Sequence, residues 1–310
     1  MSTMNNSIPT WIAPVQLGTS SSMYEHYIDL QGNLVKAIQH SPKLSEWFHE
    51  GLAPFSENGK YGYLDMFGRV AIPPQFTEAQ DFVNGLAIVG FPNGEGAFID
   101  HSGQARIHLD STDDIWPFVD DLTFYPQNPN LIGDIVLLDK QGNRTPLLIE
   151  DIDDINAISE RLISVHFIDN DWGFVNLKGE PIAGGYCDVK PFSEGLAAAE
   201  TEDGWGFINR SGDFEIEPTY DSCGRFSESI AAVCLDGKYG YIDRMGRQLT
   251  PFIYEQANPF SQGLASVKRN GRWGYINRQG EEMIPFQFAW AGCFERQDGS
   301  PNKIQFFWDD

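Results

Sequence analysis

GRWGYINRQGEEMIPFQFAWAGCF, from Gly271 to Phe294, carries the pattern on which the fold turns. Upstream of it, Leu264-Ala265-Ser266-Val267 is a short β-prone run. The polar turn Arg269-Asn270-Gly271 separates that run from a second, Trp273-Gly274-Tyr275-Ile276-Asn277, which reads as a hairpin. Arg278-Gln279-Gly280 turns the chain again into Glu282-Met283-Ile284, a third strand that Pro285 is expected to end. One unit is therefore a three-stranded antiparallel meander.

The same unit recurs upstream. GKYGYIDRMGRQLTPFIYEQANPFSQGLASV from Gly237 and GWGFINRSGDFEIEPTYDSCGRFSESIAAV from Gly204 align with it almost without gaps. DWGFVNLKGEPIAGGYCDVKPFSEGLAAA from Asp171 and GKYGYLDMFGRVAIPPQFTEAQDFVNGLAIV from Gly59 follow the same template. Anchored on the glycine after the aromatic, Gly173, Gly206, Gly240 and Gly274 are 33, 34 and 34 residues apart. The 111 residues from Gly62 to Gly173 leave room for two degraded copies, found at GAFIDHSG from Gly96 and VLLDKQG from Val136. YIDLQGNLV from Tyr27 makes a first copy, so we count eight, with the first, third, fourth and last the weakest.

Glycine weakens a strand interior and marks a bulge or a close backbone approach. Here it recurs with an aromatic neighbour, in Tyr61-Gly62, Trp172-Gly173, Trp205-Gly206, Tyr239-Gly240 and Trp273-Gly274. These ten residues are read as structural, an aromatic ring covering bare backbone. A connector aromatic follows in each copy (Phe76, Tyr186, Tyr220, Tyr254, Phe288), six residues before Phe82, Phe192, Phe226, Phe260 and Phe294. That pair is expected to form the wedge between neighbouring units.

The core G-[KR]-[WY]-G-[YF]-[IL]-[DN]-x-x-G, followed by I-x-P-x-[YF] and F-S-[EQ]-G-L-A, resembles the bacterial WG-repeat family. The resemblance runs roughly from Tyr27 to Phe294; it is specific for Gly59 to Val89 and Asp171 to Phe294, and weak for Gly94 to Asp169. It implies a non-catalytic β-repeat array used in binding or scaffolding, with no catalytic residue to transfer.

A sheet of about thirty-four residues buries too little to stand alone, so the units must stack and share cores. Propeller blades have four strands and longer repeats, which favours an all-β tandem array of eight three-stranded meanders, open or loosely closed and curved. The alternative is a closed propeller-like ring. Residues 1–26 are assigned to an N-terminal cap and 27–310 to the repeat domain, degenerate at 94–169. A C-terminal cap spans 295–310, in which Lys303 to Trp308 would form a last strand over an open edge.

With 44 acidic and 21 basic residues among 310, the net charge is −23. Such a surface repels polyanions, which disfavours nucleic acid as a ligand. No apolar run is long enough for a spanning helix, and the N-terminus lacks the basic and apolar regions of a secretory signal. The four cysteines (Cys187, Cys223, Cys234, Cys293) fit no disulfide framework or zinc knuckle. A reduced, cytoplasmic, membrane-independent protein is expected.

Signatures of chemistry are missing. The six histidines (His26, His40, His49, His101, His108, His166) form no H-E-x-x-H, and there is no nucleophile elbow, P-loop or dinucleotide fingerprint. No metal or cofactor is expected. Asp65, Asp100, Asp139 and Asp243 alternate with Asn176, Asn209 and Asn277 at one repeat position, which points to turn hydrogen bonding.

The centre departs from the repeat. From Asp110 to Asp171 there are fourteen acidic residues against Lys140, Arg144 and Arg161. STDDIWPFVDD from Ser111 and IEDIDDI from Ile149 interleave acids with apolar residues. Asp113, Asp114, Asp120, Asp121, Glu150, Asp151, Asp153 and Asp154 are the candidate docking residues for a basic protein partner. Trp116, Phe118 and Tyr125 are candidate apolar anchors beside them. The expected function is a non-catalytic inhibitor, immunity-type or scaffold protein. Carbohydrate binding through exposed aromatics and hydrolysis by paired carboxylates are the alternatives.

Overall fold

In the computed structural model, residues 10–17, 26–35, 48–112, 114–127, 132–169 and 171–297 are described. They contain strands and turns and no helix. The proposed strand from Lys303 to Trp308 lies outside them. The chain divides into two compact units, one of residues 1–113 with 288–310 and the other of residues 114–287.

Among the described residues there are eight small antiparallel sheets, three in the first unit and five in the second. In the first unit, Leu52–Glu57, Lys60–Asp65 and Val70–Phe76 form one sheet. Glu78–Ala79, Ala87–Gly90, Gly96–Ile99 and Ala105–Leu109 form the next. The third joins the chain ends. Trp11–Gln16 pairs with His26–Ile28, with Trp290–Ala291 and with Glu295–Arg296, all antiparallel. This pairing joins the first copy to the last within one unit, a contact that the closed alternative calls for and the expected open array does not.

The second unit holds five sheets, among them Ile152–Ser159, Leu162–Phe167, Trp172–Asn176 and Pro181–Tyr186 in that spatial order. Both degraded copies fold as complete meanders, the second as Leu122–Pro126, Asp134–Asp139 and Arg144–Leu148.

Two expectations about the unit are corrected. A fourth strand exists: two residues just after the connector aromatic pair with the next meander, as in Glu78–Ala79, Asp188–Val189 and Gln256–Ala257. A 34-residue repeat therefore suffices for a four-stranded blade. Nor does Pro285 end its strand, which runs to Phe288. This strand lies last in its sheet, where a proline without an amide hydrogen is tolerated.

Three local devices recur among the copies. At the inner turn, Asp29, Asp65, Asp100, Asp139, Asn176, Asn209, Asp243 and Asn277 each accept, through Oδ1, the backbone N–H groups two and four residues on. The position needs only a side-chain carbonyl or carboxylate oxygen, which explains its indifference to Asp or Asn. At the F-S-E-G turn both central residues take positive φ, as in Glu194 (55°) and Gly195 (80°), the two-residue hairpin turn that suits strand twist.

The third device is the glycine. A Cβ on Gly62 would lie 2.4 Å from the Ile72 carbonyl oxygen, and one on Gly206 2.5 Å from that of Ile216. The strand ladder shifts register there, between Tyr61 and Tyr63 and between Trp205 and Phe207. The bulge and the close approach are one feature.

Cores form between successive sheets. Leu52, Tyr63, Ile72 and Phe76 of one sheet pack with Ala87, Val89, Ala97 and Ile99 of the next, around Phe82. The second connector aromatic is the wedge. Phe82, Phe192, Phe226 and Phe260 meet Tyr63, Phe174, Phe207 and Tyr241 edge-on, with centroids 4.9, 4.8, 4.7 and 4.8 Å apart. Each such ring is 2% exposed or less, worth roughly 2–3 kcal/mol of burial. The first connector aromatic instead stands opposite the W/Y of its own sheet, Trp172 facing Tyr186 and Trp205 facing Tyr220.

Candidate binding surface

The acidic segments fall in the second unit, at turns and strand starts. Asp113 lies outside the described residues. Asp114 and Asp120 are exposed turn residues with φ of 54°. Asp121 is exposed, with Lys140 Nζ 3.7 Å away. Glu150, Asp151, Asp153 and Asp154 are all exposed around the start of Ile152–Ser159. Asp153 Oδ1 contacts His166 Nδ1 at 2.5 Å, and Asp154 caps the Ile155 N–H.

The aromatics divide. Trp116 is 43% exposed and stacks on Phe124, while Tyr125 is half-buried. Phe118 is 1% exposed, occupying the connector position immediately before the Val119–Leu122 turn, so it belongs to the core and offers no anchor.

Beside Asp151 lies a groove of about 610 Å³, lined by Asp151, Asp169, Asp171, Phe167, Ile168 and Ile182 and floored by the backbone of Ala183 to Gly185. Its origin is a shortened strand. Ala183 stands opposite Phe174 where other copies place Ile72 opposite Tyr63 and Ile216 opposite Phe207. The Phe167 ring packs over the bare backbone, 3.3 Å from where a Gly184 Cβ would sit. The sequence signal was IAGGY in place of I-x-P-x-Y; Asp169 and Asp171 flank the preceding hairpin and were not singled out.

A second pattern missed in the sequence links the turns. Glu160, Glu194 and Glu228 each accept a backbone N–H 35 residues on, from Gly195, Ser229 and Gly263. Each also meets an arginine 50 residues on: Arg210, Arg244 and Arg278. Glu50 begins a similar link to Gly85 in the first unit. The glutamate of F-S-E-G, repeating at intervals of 34, was its signature.

Trp205 and Trp273 are 7% and 6% exposed, and Tyr61, Trp172 and Tyr239 are half-buried; Gly62, Gly173, Gly206 and Gly274 lie beside the last strand of their copies, while Gly240 lies against the Phe252 ring. Burial pushes the Cys223 thiol up and that of Cys293 up to about 12, the opposite of what a nucleophile needs. No group of three His, Cys, Asp or Glu suited to a metal ion occurs among the described residues.

The family described as WG containing repeat matches residues 61–90, 172–204, 205–239, 239–273 and 273–299. No curated protein has a matching sequence. Among solved structures, a eukaryotic initiation factor is similar with a TM-score of 0.55 at 8% identity, over 88% of this chain and 83% of that one. Dihydro-heme d1 dehydrogenase NirN, in complex with DHE, is similar with a TM-score of 0.53 at 12% identity, over 93% and 75%. At such identities the likeness is one of fold.

Proposed function

The chain belongs to the WG-repeat family, and from that premise we propose that it is a non-catalytic acidic binding protein for a basic protein partner. Its role is that of a cytoplasmic inhibitor, immunity-type or scaffold protein. One observation carries the reading: the carboxylates of the central segment face solvent, with Trp116 exposed among them. Opposite charge on a partner would accelerate encounter and select it, while a desolvated aromatic adds residence time.

Affinity purification with the tagged full-length protein, followed by titration of the recovered partner at graded salt, tests this. The partner should be basic, and changing Asp114, Asp120, Asp121, Asp153 and Asp154 to Asn should weaken binding tenfold or more and flatten its salt dependence. Acidic partners only, or unchanged affinity of the variant at every salt concentration, would overturn the proposal.

A further inference from the structure

Within each sheet the last strand is an edge, and an edge exposes amide and carbonyl groups that invite pairing with another chain. Most copies blunt it. Val70–Phe76 carries Pro73 and Pro74, Arg144–Leu148 carries Pro146, Phe214–Tyr220 carries Pro218 and Glu282–Phe288 carries Pro285. Ala105–Leu109 has no proline but bears Arg106 on its exposed side, paired with Asp100.

Pro181–Tyr186 has neither device. Its proline stands at the first position, where it protects least, and its interior reads Ile182-Ala183-Gly184-Gly185, without charge. Pro181, Ile182, Gly184 and Gly185 are exposed. The ladder to the neighbouring strand passes from Phe174↔Ala183 to Trp172↔Tyr186, so the two glycines fall in the irregularity.

This unprotected edge borders the groove. A Cβ on Gly185 would sit 3.8 Å from Asp171 Oδ2, which places that carboxylate against the edge backbone. Every ionisable side chain lining the groove is an aspartate, and Phe167, Ile168 (60% exposed) and Ile182 (38% exposed) supply its apolar wall.

We propose that Pro181–Tyr186 accepts an extended basic segment of a partner polypeptide as an added antiparallel or parallel strand. An arginine or lysine of that segment enters between Asp151, Asp169 and Asp171, and an apolar side chain covers Ile168 and Ile182. Main-chain pairing would supply affinity and the acidic groove specificity, the usual division in strand addition. Alternation of side chains along a strand calls for basic and apolar residues at spaced positions. The inference rests on the basic-partner reading and gives that partner a docking strand.

The probe is fluorescein-labelled acetyl-Arg-Val-Arg-Val-Arg-amide, titrated against the full-length protein by fluorescence anisotropy. Its Glu-Val-Glu-Val-Glu counterpart should bind at least tenfold more weakly, as should the arginine peptide to an Asp169→Asn/Asp171→Asn variant. Two isomers of the arginine peptide, N-methylated at odd or at even residues, test pairing on the unaltered protein. Only one set of amides faces the edge, so one isomer should lose binding and the other keep it. Equal affinity of the two isomers, or full affinity of the Asp169→Asn/Asp171→Asn variant, would overturn the proposal. If the arginine peptide depends on Asp114, Asp120, Asp121, Asp153 and Asp154 but not on Asp169 and Asp171, the groove assignment alone fails. If it binds no better than the glutamate peptide, the inference and the basic-partner reading fail together.

Discussion

His49 Nδ1 lies 3.2 Å from Glu295 Oε2, across 246 residues of sequence, and ties the first F-S-E-G-type turn to the strand that pairs with the N-terminal strand. The other ring nitrogen is 3.5 Å from Asp81 Oδ2. Nearby, Gln297 Oε1 accepts the Gly51 N–H and its amide donates to the Phe48 carbonyl. This seam is where the two ends of the chain are joined within one unit. With Glu295 only 6% exposed, removal of the imidazole strands a buried carboxylate. His49→Leu should cost about 2–3 kcal/mol, read as a lower urea midpoint, and Glu295→Gln should cost less because an amide oxygen still accepts the hydrogen bond. An unchanged midpoint in His49→Leu would show that the seam is held elsewhere.

Stability should fall in two stages on acidification. The His101 imidazole stacks on Phe82 at 4.3 Å, with Nε2 3.4 Å from Glu50 Oε2 but outside hydrogen-bond geometry. Desolvation lowers its pKa, outweighing the upward pull of Glu50 and Asp100. The unfolded chain therefore takes up the proton first, and stability declines as the pH drops below about 6.5. At Asp100, desolvation pushes upward but is outweighed by hydrogen bonds from the Ser102 hydroxyl, the Gln104 and Ser102 amides and Arg106, which bring the carboxyl down to about 2. Its contribution is present above the unfolded value and is lost between about pH 4 and 2. Urea titrations between pH 8 and 2.5 read both stages. His101→Gln should flatten the first and leave the second; a first stage unchanged in that variant would assign it to another group.

How much of this was legible in the sequence follows from which interactions are local. The Asx turns, the hairpins and the tight glycines involve residues within one copy, so Asp65, Gly62 and their equivalents could be read directly. The two-residue fourth strand, Glu78–Ala79 and its counterparts, has no hydrophobic alternation to show itself and exists only because the next meander pairs with it. The closure between Trp11–Gln16 and Trp290–Ala291 is likewise a pairing across the whole chain. Phe118 was misread because an aromatic among aspartates looks exposed, whereas its position one residue before the Val119–Leu122 turn makes it a core wedge. The groove was hidden for a different reason: it arises from a deletion between Ala183 and Tyr186, visible only against the register of the other copies.

The turns that join successive copies leave room for stabilisation. Glu228 and Ser229 both hold positive φ, 54° and 64°, as do Glu160 and Arg161 at 46° and 63°. Left-handed backbone costs a non-glycine residue about 1–2 kcal/mol, and other copies place glycine at the second position. Ser229→Gly keeps the N–H that bonds to Glu194 and, after the added entropy of the unfolded chain, should gain about 0.5–1 kcal/mol. Differential scanning calorimetry should show a higher Tm; a lower one would mean that the serine hydroxyl contributes more than the strain removed.

Two glycines, Gly206 and Gly184, should respond differently to one methyl group, depending on what faces them. At Gly206 an added Cβ would meet the Ile216 carbonyl oxygen at 2.5 Å and the Pro218 nitrogen at 2.8 Å. Both are backbone atoms of the adjoining strand, which cannot move without breaking the Trp205↔Tyr220 pairing. Gly206→Ala should therefore cost about 2–4 kcal/mol. At Gly184 the first atom met is Phe167 Cε2 at 3.3 Å, the end of a half-buried ring bordering the open groove. That ring can turn aside, so Gly184→Ala should change stability by less than about 1 kcal/mol. Urea unfolding of both variants decides it. Comparable losses would mean that the shortened strand is as tightly packed as the others, and that the groove beside it closes in solution.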